Sequence, residues 1–305
     1  MLAIFKREFK ALFQNVIGWL FVGVTLAFFG LYLTLYNLVS GYSNISYPLS
    51  GITFVFIITV PILTMRILAE ERKNKTDQLI LTSPVSVGKI VFGKFLALAT
   101  TFTICIAVMC IAPIVLNFFG DVPFLQDYVA IFGFWLYGLT CIAIGLFVSS
   151  LTESQVVSAI LTVVILFIGF MMGSLISAFS AENMVSKIFG CYDLITPLQN
   201  FLSGTFSLVG TVYYISLVAL LLFLTVQSIQ KRRWTMSVKK FSTSVFSGAS
   251  IVIAFAIIIA VNILMAKLPT TVTQFDATAS KLYTLQSETK DYLSSYKKDT
   301  TIYVL

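Results

Sequence analysis

Seven strongly apolar stretches, each long enough to cross a bilayer, constrain this chain more than any other feature. They lie at about residues 16–38, 51–69, 95–118, 129–148, 156–176, 206–229 and 245–265. Six of the seven contain no Asp, Glu, Lys or Arg; the exception is Arg66, near the end of the second. In hydrocarbon only segments that satisfy their own backbone hydrogen bonds can sit side by side, so the pattern predicts an all-α polytopic membrane protein. Composition agrees, with 58% hydrophobic and 11% charged residues; a soluble domain carries about a quarter charged residues. Function must be read from the connections, where the charges are.

The net charge of +7 is distributed by side. With the N-terminus placed inside, the inner segments hold Lys6, Arg7 and Lys10, then Arg66, Arg72, Lys73, Lys75, Lys89 and Lys94, then Lys231, Arg232, Arg233, Lys239 and Lys240. The outer loops before the last span hold only Lys187. The positive-inside rule then predicts a cytoplasmic N-terminus and an extracytoplasmic C-terminus in a cell membrane. The basic excess is read as a topology signal and a lipid contact, and no nucleic-acid partner is expected.

The first fifteen residues mix charges with Phe and Leu, and the apolar run behind them is too long for a cleavable signal sequence. Cys105, Cys110 and Cys141 fall within spans and Cys191 stands alone outside, so no structural disulfide is expected. The chain has no His, which excludes His-dependent metal sites and His acid–base catalysis.

Residues 1–15 read as an amphipathic helix in the inner interface. Phe5, Phe9, Leu12, Phe13 and Val16 recur at helical spacing and Lys6, Arg7 and Lys10 take the other side; the alternative is a plain basic flank to the first span. The segment 178–205, with Phe189, Tyr192, Leu194, Ile195, Leu198 and Phe201 interrupted by Pro197, is too broken to cross and too apolar for a free loop. A re-entrant or interfacial helical pair fits it. The basic cluster 231–240 marks a boundary between a unit 1–234 and a unit 235–305. The second unit holds the seventh span and a hydrophilic external stub, with a helix expected over 281–296 and a strand over 300–305.

The long inner connection carries the functional argument. Charge appears where the second span leaves the membrane, at Glu70 and Glu71. Thr76 with Asp77 can cap a new short helix containing Gln78, Leu79, Ile80 and Leu81, and Ser83-Pro84 stops it. Such a helix, held beyond the membrane between two spans, can act as a lever for a cytoplasmic partner. An ordinary hairpin between membrane helices is the competing reading.

The order of these features from Pro61 to Lys94 resembles that of ABC-type export permeases of the multidrug and polysaccharide class. The matching positions are the acidic pair Glu70-Glu71, the coupling segment about 70–83, the turn Pro84-Val85-Ser86 and the return at Gly93-Lys94. The outer stretch 193–204 (DLITPLQNFLSG) is similar to the segment before the last span of that family. The resemblance covers about 1–234. It implies a six-helix, type V-like exporter core with an in-plane N-terminal helix. It also implies coupling through Glu70, Glu71, Thr76, Gln78, Leu79, Leu81, Ser83 and Pro84 to cytoplasmic ATPase subunits, which hold the ATP and Mg, and a second permease copy, identical or paired. The stretch from Asp276 through Lys281-Leu282-Tyr283-Thr284-Leu285 to Thr300-Thr301-Ile302-Tyr303-Val304 is similar to the start of the auxiliary subunit of gliding-motility-type ABC transporters. That likeness implies an external auxiliary domain on the seventh span.

The heptapeptide Gly88 to Lys94 has GxxxxGK spacing, but Phe95 stands where a phosphate-binding loop needs Ser or Thr. An ATP site in this chain is therefore not expected. Arg66 is expected to snorkel to the inner surface. Gly133, Gly138, Gly145, Gly169 and Gly173 should mark close helix packing. Intramembrane hydroxyls such as Thr100, Thr101, Thr103, Thr140 and Thr162 should bond to their own helices. An intramembrane enzyme would need convergent ionisable groups, which the spans lack. The reading is an ATP-driven export permease. Its competitor is a mechanical envelope complex that moves an external domain and transports nothing.

Overall fold

The computed structural model describes residues 1–76, 85–178, 190, 192–234, 240–278, 281, 282, 289, 291, 292 and 295, with backbone alone for 177, 178, 232–234, 240–247, 270 and 271. Among them are seven helical segments long and apolar enough to cross a membrane, so the polytopic all-α reading holds. Leu2–Gln14 forms α1 and Val16–Leu33 forms α2, which runs on as a π-helical turn over Thr34–Val39. Helix α3 (Ser46–Thr64) is followed by the short α4 (Ala69–Lys73). Then come α5 (Val87–Met109), α6 (Ala112–Leu116), α7 (Phe124–Leu151) and α8 (Gln155–Ala178). Beyond these lie α9 (Thr196–Leu202), β1 (Thr205–Ser207), α10 (Leu208–Trp234), α11 (Lys240–Lys267), α12 (Thr270–Thr273) and β2 (Gln274–Asp276).

Helices α3 and α7 form the centre of the bundle and are largely buried, whereas α2, α8 and α10 present most of their surface outward. Phe56 of α3 fills the middle, edge-on to Phe102 of α5 and Phe134 of α7 at ring-centroid distances of 5.2 and 5.0 Å, an arrangement that aromatic quadrupoles favour. Glycines let the backbones close on this core. A Cβ on Gly133 would stand 2.3 Å from Cβ of Phe201, and one on Gly145 would stand 2.2 Å from Oγ1 of Thr64. The hydroxyls of Thr100, Thr101, Thr103, Thr140 and Thr162 each donate to the carbonyl four residues back. Both expectations, close packing and self-satisfied hydroxyls, are met.

The amphipathic N-terminal helix forms as its periodicity dictates. Leu12 is buried, Phe5, Phe9 and Phe13 are half-buried against the core, and Lys6 and Lys10 are exposed. Several boundaries differ from the sequence reading: α3 starts at Ser46 rather than 51, and α7 runs over Phe124–Leu151 rather than 129–148. The third span begins at Val87 rather than near 95, because Ser86 in extended conformation starts a helix that no proline interrupts until Pro113. Lys94 therefore lies inside a membrane helix, so Arg66 is not the sole charge within the spans. Phe206 belongs to β1, and the sixth span starts two residues later at Leu208.

On the face opposite α1, Asp193 organises the approach to α9. Its Oδ1 accepts the backbone N–H groups of Ile195 and Thr196, each at 3.0 Å. Leu198 and Phe201 then bury against the bundle. Helix α9 falls within the segment read as a helical pair; residues 179–189 and Cys191 lie outside the described residues. Gly204 turns the chain into β1 at φ +88°, a conformation that favours glycine. Strand β1 pairs antiparallel with β2, Phe206 opposite Phe275. Because β1 precedes α10 and β2 follows α11, this pairing returns the chain to the face from which α10 departed. Helix α11 buries no residue over Gly248–Lys267 and packs on α10, where Asn262 Nδ2 donates to Ser216 Oγ at 2.9 Å. The expected strand 300–305 and most of the expected helix 281–296 lie outside the described residues.

Gly133→Ala should lower the melting temperature of the detergent-solubilised chain by the equivalent of roughly 1–3 kcal/mol, because the Phe201 Cβ cannot rotate away. Gly23→Ala, where nothing lies within 4 Å, should leave it unchanged.

Candidate coupling site

Where α3 ends, the chain does not simply leave the bundle. Pro61 sits in the last turn of α3, and the Met65 N–H bonds to its carbonyl. The segment 65–68 then turns, and α4 carries Glu70 and Glu71 in its first turn with Arg72 and Lys73 in its last, an arrangement that complements the helix dipole. Lys75 ends this elbow at φ 55°. The Thr76 hydroxyl folds back to donate to the Glu71 carbonyl at 3.2 Å, so it closes α4. Asp77, Gln78, Leu79, Ile80, Leu81, Thr82, Ser83 and Pro84 lie outside the described residues, and so does the expectation of a capped helix there.

Three fastenings hold the elbow. Lys94 of α5 is fully buried, and its ammonium donates to Glu71 Oε1 at 2.8 Å, Glu8 Oε1 at 3.1 Å and the Ile67 carbonyl at 3.2 Å. All three N–H donors of the ammonium are thereby used. Arg7 completes the group from α1, reaching Glu8 Oε1 at 2.5 Å and Glu71 Oε1 at 3.0 Å. Two cations and two carboxylates cancel, which is what permits the ammonium to be buried at all. Burial alone would raise the Glu8 carboxyl; the charge of Lys94 and the hydrogen bonds from Arg7 and Lys94 reverse this and hold it below its ordinary value. The Arg7 guanidinium is pushed up, chiefly by its bond to Glu8.

Ser149, buried at the end of α7, acts as a second fastening. Its Oγ accepts the N–H groups of Leu68 and Ala69 at 3.2 and 3.1 Å and donates to the Met65 carbonyl at 3.2 Å. These are backbone groups that the break between α3 and α4 would otherwise strand. Arg72 is the third, bonding to the Leu151 carbonyl at 2.6 Å and pairing with Glu153 at 2.9 Å in the turn before α8. The elbow is thus tied to α1, α5, α7 and the α7–α8 turn. Arg66 pairs with Glu70 one turn on rather than only reaching for the surface. A cavity of about 330 Å³ is lined by both α1 and the elbow, with Leu12, Ile17 and Leu63 on its apolar side and Arg7, Arg66 and Glu70 on its polar side.

The sequence-expected residues divide accordingly. Glu71 is a structural ion-pair partner, Glu70 faces Arg66, and Thr76 closes α4. Sequence reasoning missed Glu8, Lys94 and Ser149. Glu8 had a signal: it is the one acidic residue in α1 and lies on the apolar stripe with Phe5, Phe9 and Leu12. Lys94 likewise falls on the buried stripe Val87, Ile90, Val91 and Leu98 once α5 is extended to Val87. Ser149 had none, since its partners are backbone groups eighty residues earlier.

Lys94→Met leaves Glu8 and Glu71 with the exposed Arg7 as their one shared cation and should destabilise the chain by up to about 3 kcal/mol. Adding Glu8→Gln to that variant should recover part of the loss, measured as a coupling energy in a double-mutant cycle. The Glu8 contribution is complete above its ordinary value of about 4.5 and is lost as pH falls through the lower folded value. Acid unfolding of Glu8→Gln should accordingly be less steep than that of the wild type.

Residues 31–229 match the family model described as ABC-2 family transporter protein. The match runs from the end of the first span to the end of the sixth and takes in the elbow and its fastenings in α5 and α7. No curated protein matches the chain significantly. Helix α1, most of α2, and α11 with β2 lie outside the matched region. With more than half of its length matched, the chain belongs to the ABC-2 transporter family and is a multi-pass permease subunit of an ABC transporter.

Proposed function

We propose that this permease works in an ATP-driven exporter of the cytoplasmic membrane, with α1 and the elbow on the cytoplasmic side and β1–β2 outside. A cytoplasmic ATPase subunit, which carries ATP and Mg, docks on the segment about 70–83. The observation that carries this reading is the elbow itself. Any displacement of residues 70–76 is passed to α5 through Lys94, to α1 through Arg7 and Glu8, and to α7 through Ser149 and Arg72. A ligand-driven bias of a few kcal/mol between two packings of these helices is sufficient to shift their populations. Two such permeases, identical or paired, flank the pathway. The basic side chains Lys6, Lys10 and Lys231, exposed on the face of α1 and the end of α10, suit an anionic inner leaflet.

Among the expected coupling residues, Gln78, Leu79, Leu81, Ser83 and Pro84 are the ones assigned to the ATPase contact, whereas Glu71 serves the elbow. Leu79→Asp should leave membrane insertion and thermal stability unchanged while removing stimulation of the copurified ATPase by transport substrate. Unchanged coupling in a properly inserted Leu79→Asp protein would refute the lever. Cysteine labelling of residues 70–76 from outside the cell would refute the orientation.

A second reading is favoured by the β1–β2 pairing, which ties the chain after the seventh span to the rigid part of the permease. In it the complex moves an external auxiliary domain, as in gliding-motility-type systems, and transports nothing. Truncation after Thr278 keeps β2 and separates the two. An exporter retains flux, and a mechanical complex loses function with its ATPase activity intact.

A further inference from the structure

Four oxygen atoms at one end of the bundle are buried without a hydrogen-bond partner among the described residues: Asp127 Oδ2, Asn37 Oδ1, Asn44 Oδ1 and Ser46 Oγ. They belong to the connection between α2 and α3 and to the first turn of α7, on the face opposite α1. Asp127, in the first turn of α7, is fully buried, and its Oδ1 accepts the backbone N–H of Ile45 at 3.1 Å. That bond sets the carboxylate against the residue flanked by Asn44 and Ser46. Asn37, also buried, donates its Nδ2 to the carbonyls of Tyr42 at 2.7 Å and Asn44 at 2.8 Å. Two carbonyl acceptors fix the orientation of its amide, so its free atom is the oxygen. Asn37 lies in the π-helical turn Thr34–Val39, a distortion that recurs at functional sites.

The locus is short of positive charge and of donors. No Lys or Arg pairs with Asp127 among the described residues, and an isolated buried carboxylate is strongly disfavoured. Together with the Ser46 hydroxyl, a proton on Oδ2 would supply two donors for the four oxygens, whereas a cation can be met by all four at once. The donor set is all oxygen, hard, and carries a single negative charge. Hard oxygen ligands select alkali and alkaline-earth ions, and divalent sites gather several carboxylates. The geometry points to a site for one alkali cation, Na⁺ or K⁺, held by Asp127, Asn37, Asn44 and Ser46. Such an ion would brace the ends of α2, α3 and α7 against one another, at the opposite end of α3 from the elbow. This inference does not depend on what the permease carries or on its direction.

The test uses the full chain with any subunits that copurify, in nanodiscs, at constant ionic strength set with choline chloride. NaCl, KCl or CaCl₂ replaces choline stepwise while thermal unfolding is followed. A saturable rise in Tm with Na⁺ or K⁺ is expected, absent in Asp127→Asn, which keeps the shape and removes the charge. In Ser46→Ala the midpoint should move to at least about tenfold higher cation concentration. Should Asp127→Asn fail to fold, the wild-type and Ser46→Ala titrations decide the matter. The site is refuted by a wild-type Tm indifferent to both alkali ions, by a response to Ca²⁺ alone, or by an alkali response that both variants share. A Tm that rises in choline only as pH is lowered also refutes it and puts a proton on Asp127 instead.

Discussion

A lysine ammonium buried inside a membrane helix is tolerable only where every donor is used and the charge is cancelled. At Lys94 this requirement is met by atoms from three separate pieces of chain: Glu8 in α1, Glu71 in α4 and the Ile67 carbonyl in the turn between α3 and α4. Each would be out of place without the others. The in-plane helix would have no reason to present an acid on its apolar face, and the break after α3 would leave its carboxylates facing a helix that offers them nothing. The single buried cation therefore fixes where the N-terminal helix docks and how the chain departs from α3.

Consequences for movement follow from the strength of these attachments. The elbow is joined to α5 by a desolvated ion pair and to α7 by a hydroxyl that serves three backbone groups at once. Further along, α3 and α7 are pressed together at Gly145 and Thr64, with no space for an extra methyl group. In the proposed mechanism a push at the elbow is carried into the centre of the bundle as a rigid displacement, since close-packed interiors switch arrangement rather than deform gradually. Helix α11 is a different case. It is held to α10 by isolated polar contacts such as Asn262 to Ser216 and by the β1–β2 pairing beyond the membrane, and contributes little to the core.

The number of the spans, the amphipathic N-terminal helix and the position of the polar connection were legible in the sequence. Each rests on local periodicity or on a run of apolar residues, which needs no knowledge of neighbours. Two of the missed residues were half-legible. Glu8 interrupts an apolar stripe, and Lys94 continues one, but an interrupted stripe reads equally well as a helix margin until the partner charge is located. The π-helical turn around Asn37 and the pairing of Thr205–Ser207 with Gln274–Asp276 were not legible. They arise where segments distant in sequence meet and settle their backbone hydrogen bonds together.

Sequence alone determined that this chain lives in a membrane and crosses it repeatedly, because burying uncharged helices is a property of each segment taken singly. It also marked the stretch between the second and third spans as the place where polar chemistry concentrates. Only the tertiary structure decided that Lys94 is a buried keystone rather than a surface charge, that Glu71 answers it, and that Ser149 seals the break after α3. Those roles are pairwise, set by which atoms come within hydrogen-bond reach once the helices pack, and no single segment encodes them.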